Sequence, residues 1–244
     1  MPSMGGSSSN NGVRFISDRY SIQFKMNRDG TYTATYKKNR EISAAGKFFR
    51  KIPLLKGLYV LFEMSKPLFG MIALFIVFDI FERDEKKLTD IHPALPVIIT
   101  AGMIFYIALK LKNIVYNAKL TWQFHGAEHK TIEAYQNNRE LTLENVRKCP
   151  RIAKRCGTNL AVFLLFFAIA LYAVPFYDSL KFLLSFILAY ELFDLEKGDE
   201  LPIIKVFYKV GFWCQQHLFT SEPTDRQIEV SIDTMKKLIA LENE

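Results

Sequence analysis

The hydrophobic and polar positions of the chain fall into distinct blocks rather than an even mixture. Alternation comes first. Arg19–Lys25 (RYSIQFK) and Thr31–Lys37 (TYTATYK) interleave apolar and polar side chains on either side of Asn27-Arg28-Asp29-Gly30. With Asp-Gly at the turn, that pattern predicts a β-hairpin. Two strands alone are marginal in water, so the hairpin must lean on another segment. Residues 1–12, rich in Ser, Gly and Asn, read as a flexible tail.

Apolar blocks follow. Ala44–Met64 mixes Lys47, Arg50, Lys51 and Lys56 with Phe48, Phe49, Leu54 and Leu58, which predicts an amphipathic helix on a membrane surface. Four apolar runs, at about residues 64–81, 93–111, 159–177 and 180–195, predict transmembrane helices. A polar motif loop over 112–158 separates the second from the third, and amphipathic helices are expected over 201–242. There, Thr224-Asp225-Arg226-Gln227 forms a capping box, and Ile228, Ile232, Met235 and Ile239 share one helix face. Thr142 reads as the N-cap of a short helix. The expected fold is mainly α: a polytopic membrane protein of about four spans with an N-terminal β-hairpin and cytoplasmic amphipathic helices. A soluble all-α protein with buried helices is the competing reading, because the runs fall short of the ~20 residues a bilayer demands.

Charge orients this map. The chain has 244 residues and a formal net charge of +7. Eleven Lys/Arg precede the first run, ten lie in Lys110–Asn159 and six follow Phe193, against three and one in the other two loops. By the positive-inside rule both termini and the motif loop are cytoplasmic. The basic excess suits anionic lipid, so the lipid bilayer is an expected partner and a membrane protein complex a second. Nucleic acid is not expected, since no recognition motif accompanies the charge. Cys149, Cys156 and Cys214 are odd in number and lack paired spacing, which argues against a disulfide framework.

The chemistry concentrates in Trp122–Gln136, WQFHGAEHKTIEAYQ, which holds two of the four histidines. On a helix, His125 and His129 share a face and Glu128 flanks it. H-x-x-E-H is the reverse of the H-E-x-x-H zinc motif. Two imidazoles can hold a divalent metal, and Glu128 can act as the general base. A further ligand has four candidates. Glu133 continues the stripe. Glu144 lies on the next helix. Cys156 sits at a predicted helix N-terminus beside Arg155, which favours a thiolate. Glu191 lies within an apolar run, where a carboxylate is costly. Zinc suits this donor set first, with manganese or iron next. The competing role for the histidine pair is a structural network bonded to backbone or to Glu128.

Several motifs together resemble one family. Phe124–Lys130 (FHGAEHK), Leu141–Arg147 (LTLENVR), Arg155–Thr158 (RCGT), Tyr190-Glu191, Gln216–Pro223 (QHLFTSEP) and Gln227–Val230 (QIEV) occur in this order. They resemble the YqhQ-like family of uncharacterised bacterial membrane proteins, described as predicted metal-dependent enzymes. The resemblance covers roughly residues 40–240. It implies a multi-pass protein of the bacterial inner or plasma membrane, and a shared pattern that includes Asn145, Arg147, Arg155, Glu191 and Glu222. Two departures stand out. The family's glycine-rich opening is reduced here to Gly5-Gly6 and Gly12-Val13, and its His-Pro before RCG is replaced by Ala153-Lys154. The function expected is that of a metal-dependent membrane enzyme, hydrolase-like, with its site facing the cytoplasm and a membrane-proximal substrate. The alternative is a non-catalytic accessory or scaffold subunit of a membrane protein complex.

Overall fold

A computed structural model describes residues 4–27, 31–64, 94–175, 178–195 and 197–244. The chain divides into two compact units. The first joins three separate segments, Met1–Glu41, Ile107–Lys154 and Phe212–Glu244; the second joins Ile42–Tyr106 and Arg155–Gly211.

The first unit holds an antiparallel sheet of four strands: β1 (Gly5–Ser9), β2 (Gly12–Ile16), β3 (Tyr20–Met26) and β4 (Tyr32–Lys38), in that spatial order. The pair β3–β4 is the hairpin legible in the alternation, with Ile22 opposite Tyr36. The stretch read as a flexible tail, residues 1–12, instead supplies β1 and the first residue of β2. Register places Val13 opposite Phe24 and Phe15 opposite Ile22, so the apolar side chains of β2 and β3 line one face. That face packs on α8 (Asp225–Asn243), whose Ile228, Met235 and Leu238 are buried with Val13, Phe15 and Ile22. Thr224 and Gln227 cap this helix reciprocally.

The helix that carries the motif is α3, Ala94–Gln136, whose residues from Ile107 onward belong to the first unit. It ends at Asn138, whose left-handed backbone (φ 54°) lets Arg139 N–H reach the Ala134 carbonyl at 2.9 Å. The motif therefore lies on a helix, as its spacing predicts, and that helix takes up residues 112–136 of the expected motif loop. The short α4 (Leu143–Arg147) follows, N-capped by Thr142.

The second unit is helical: α1 (Ala44–Phe49), α2 (Leu55–Met64), α5 (Gly157–Tyr172), α6 (Asp178–Phe193) and most of α7 (Pro202–Cys214). Leu61 of α2 and Phe186 of α6 form its buried centre with Leu160, Leu164 and Leu183 around them. Gly211 of α7 lies so close to the Asn159 side chain of α5 that no Cβ fits between them.

Among the described residues, no helix is long and apolar enough to cross a membrane. This overturns the expected polytopic fold of about four transmembrane helices, and with it the expected multi-pass placement in a bacterial inner or plasma membrane with cytoplasmic termini. The physical reason is length and polarity. The helices α5 and α6 have 16 residues each, about 24 Å against a hydrocarbon core of about 30 Å. The longer α3 is interrupted by Lys110, Lys112 and Lys119 and runs into the polar motif. Of the run at 64–81, all but Met64 lies outside the described residues. Without a span among the described residues, the distribution of Lys and Arg has no spans there to orient.

Candidate functional site

One turn of α3 brings His125 and His129 together in the first unit, with ring centroids 4.3 Å apart and planes at 63°. Each imidazole is held by a backbone carbonyl from another segment. His125 Nδ1 lies 2.9 Å from the Phe219 carbonyl, and His129 Nδ1 lies 2.8 Å from that of Arg151. A carbonyl only accepts, so each Nδ1 carries a proton. Metal-binding histidines are oriented by the same kind of partner.

Both carbonyls are placed by identifiable contacts. Phe219 ends a π-helical segment, Gln215–Phe219, after α7. The chain beyond it is clamped to α3: Ser221 N–H donates to the Trp122 carbonyl at 3.0 Å. Gly126 permits this approach, because a Cβ there would collide with the Ser221 carbonyl. The Arg151 segment is fixed by the buried Gln215 amide, which bonds both the N–H (2.8 Å) and the carbonyl (3.1 Å) of Ala153.

Glu128 lies on the adjoining flank of α3. It is 5 % exposed, and its Oε2 has no hydrogen-bond partner among the described residues. Burial pushes its carboxyl up to about 7, against the opposing pull of His125. A buried carboxyl of this kind takes up and releases a proton near neutral pH.

Next to it, Lys130 makes an ion-pair network. Its buried ammonium donates to the Arg147 carbonyl (2.8 Å), the Cys149 carbonyl (2.9 Å) and Glu222 Oε1 (2.9 Å). Three protons meet three acceptors, so the charge is fully satisfied. The other oxygen of Glu222 pairs with Arg151 at 3.0 Å. Burial raises the Glu222 carboxyl, but Lys130 and Arg151 outweigh it and hold the group below its ordinary value. The network ties the segment carrying the Arg151 carbonyl to the segment following Phe219.

The remaining candidates have surroundings of their own. Glu133 accepts from Asn137 at 2.7 Å, one turn further along α3. Glu144 pairs with Lys148 on α4. Asn145 donates to the Glu140 carbonyl at 3.1 Å and closes the turn before α4. Arg147 pairs with Asp225 at 2.5 Å and joins α4 to α8. Cys156, Arg155 and Glu191 belong to the second unit. Cys156 is the N-cap of α5, with its thiol 3.5 Å from Thr158 Oγ1. Arg155 approaches Asp194 at 3.8 Å. Glu191 receives Leu54 N–H at 2.8 Å and Lys56 at 3.2 Å, which steadies a left-handed Leu54 (φ 67°) ahead of α2. Three residues of the site were not read from the sequence: Lys130, Arg151 and Gly126. A glycine inside a helical pattern is a known sign of close packing and was the one available signal.

A family model described as "Protein of unknown function (DUF1385)" matches residues 103–241. Over 243 residues the chain is 27% identical to "Uncharacterized protein YqhQ" of Bacillus subtilis (strain 168), covering 94% of this chain and 72% of that relative. No solved structure matches. The resemblance drawn from FHGAEHK and its companion motifs is thereby borne out at the level of the family. The matched region spans more than half of the chain and includes both histidines, Glu128 and the whole ion-pair network, so this protein belongs to the DUF1385 family.

Proposed function

We propose that the first unit carries a metal-dependent hydrolytic centre in which His125 and His129 hold a divalent cation through Nε2. The observation that carries this reading is the backbone carbonyl that each ring addresses through Nδ1. Each commits Nδ1–H to a backbone carbonyl, which makes Nε2 the atom that would bind a cation, on residues one helical turn apart. The donor set of two imidazoles and a neighbouring carboxyl suits zinc first, with manganese or iron as alternatives. A cation bound there supplies a Lewis acid and a water of lowered pKa.

The chain's own residues do the rest. Glu128 accepts a proton at Oε2, the atom without a partner, and returns it to a leaving group. Its burial keeps that exchange near neutral pH. Lys130, Glu222 and Arg151 hold the two carbonyls that aim the imidazoles.

Metal content per chain tests the reading. Purified wild type is compared with a His125→Ala/His129→Ala variant of equal thermal stability. Near-stoichiometric zinc, manganese or iron in the wild type and none in the variant supports the centre. A wild type that stays empty after metal is supplied removes it.

A further inference from the structure

We propose that Gly6 of β1 is a positioning residue for Glu128: the missing side chain is what lets the carboxyl seat against the strand beside His125. The inference takes the assignment of Glu128 as the proton carrier from the reading above. It concerns a residue outside both the motif and the region matched by the family model.

The geometry is specific to one of two adjacent glycines. A Cβ on Gly6 would fall inside contact distance of Oε1, Cδ and Cγ of Glu128. A Cβ on Gly5 would meet nothing within 4 Å. Paired opposite Phe15, whose side chain lies in the core, Gly6 turns its own side-chain direction inward. The turn between β1 and β2 is fixed to α3 by Asn10, which donates to Asn117 Oδ1 at 3.0 Å. The bare backbone of Gly6 therefore lies against the Glu128 carboxyl. Any larger residue at position 6 must move either the strand or the carboxyl, and the carboxyl ends the more flexible side chain.

The test is isotope-edited infrared spectroscopy of the metal-free protein at acidic pH, with the Glu128 band isolated by subtracting Glu128→Gln. A protonated carboxyl without hydrogen bonds absorbs at a higher wavenumber than one bonded to water. The wild type and Gly5→Ala are expected to share the high band. Gly6→Ala is expected to move it to the water-bonded position. Shortening the acid in Gly6→Ala/Glu128→Asp is expected to restore a high band, and this pair keeps the test decisive if Gly6→Ala alone folds poorly. An unmoved band in Gly6→Ala, or equal shifts in Gly5→Ala and Gly6→Ala, overturns the proposal. Because no metal is needed, either result stands independently of the metal-content measurement.

Discussion

The Lys130 ammonium lies 2.9 Å from Glu222 Oε1 and gives its other two protons to the carbonyls of Arg147 and Cys149. A lysine this buried is retained only where every proton is used. Replacing it with Met keeps the volume and orphans two carbonyls. Lys130→Met is expected to lose about 2–4 kcal/mol in denaturant unfolding. A loss below about 0.5 kcal/mol would mean that the network is incidental.

Glu222 gives this network a pH dependence. Its carboxyl is held below the ordinary 4.5, so its contribution is present above that value and fades as pH falls through the lower folded-state value. The gap in Tm between wild type and Glu222→Gln should be open at neutral pH and close on acidification. A gap independent of pH contradicts the assignment.

Glu128 has the opposite sign. Its carboxyl is raised from 4.5 to about 7, so the unfolded chain gives up this proton first and the folded state loses stability as pH rises between those values. Glu128→Gln removes the penalty. The variant should gain on the wild type by about 3 kcal/mol between pH 4 and pH 8, while losing any activity the site supports. Parallel stability curves for the two proteins would show that Glu128 titrates normally.

Gly126→Ala sets two effects against each other. Alanine favours the helix by about 1 kcal/mol. The collision with the Ser221 carbonyl and the displacement of the Phe219 carbonyl from His125 cost about 1–3 kcal/mol. A net loss of stability together with weaker metal retention is expected from calorimetry and metal analysis. A stabilised variant with unchanged retention would show that the clamp does not hold His125.

In the second unit, Lys56 sits between Glu191 and Asp194 at 3.2 and 3.1 Å. Burial lowers its pKa, but the two carboxylates outweigh burial and raise it. The pair's contribution is therefore complete below 10.5 and lost as pH climbs through the raised value. Glu191→Gln should cost about 1–2 kcal/mol at pH 7. The cost should shrink in strong alkali, which a Tm series across that range would read.

The parts of the fold and site that depend on local spacing were legible. The interval of four residues between His125 and His129, the Thr224–Gln227 capping box, the Thr142 cap and the alternation in β3 and β4 each state a short-range rule. What could not be read depends on distant partners. GGSSS has little intrinsic strand preference; Gly5–Ser9 becomes a strand because β2 pairs with it. Lys130 resembles any surface lysine until the Arg147 and Cys149 carbonyls arrive. The apolar runs of α5 and α6 sit where a buried helix and a membrane span share one pattern, and length decides between them.

The first unit is assembled from three pieces of chain, with the second unit's residues inserted between them. During synthesis the motif helix therefore emerges long before the Phe219 carbonyl that aims His125 and before the Ser231 hydroxyl that bonds the Ala127 carbonyl at 3.2 Å. The nascent chain must leave that face of the helix uncovered while the intervening residues are made, and then close a long loop to finish it. The site is thus a late product of folding. Any interruption of translation before residue 219 leaves a histidine pair with one ring unaimed.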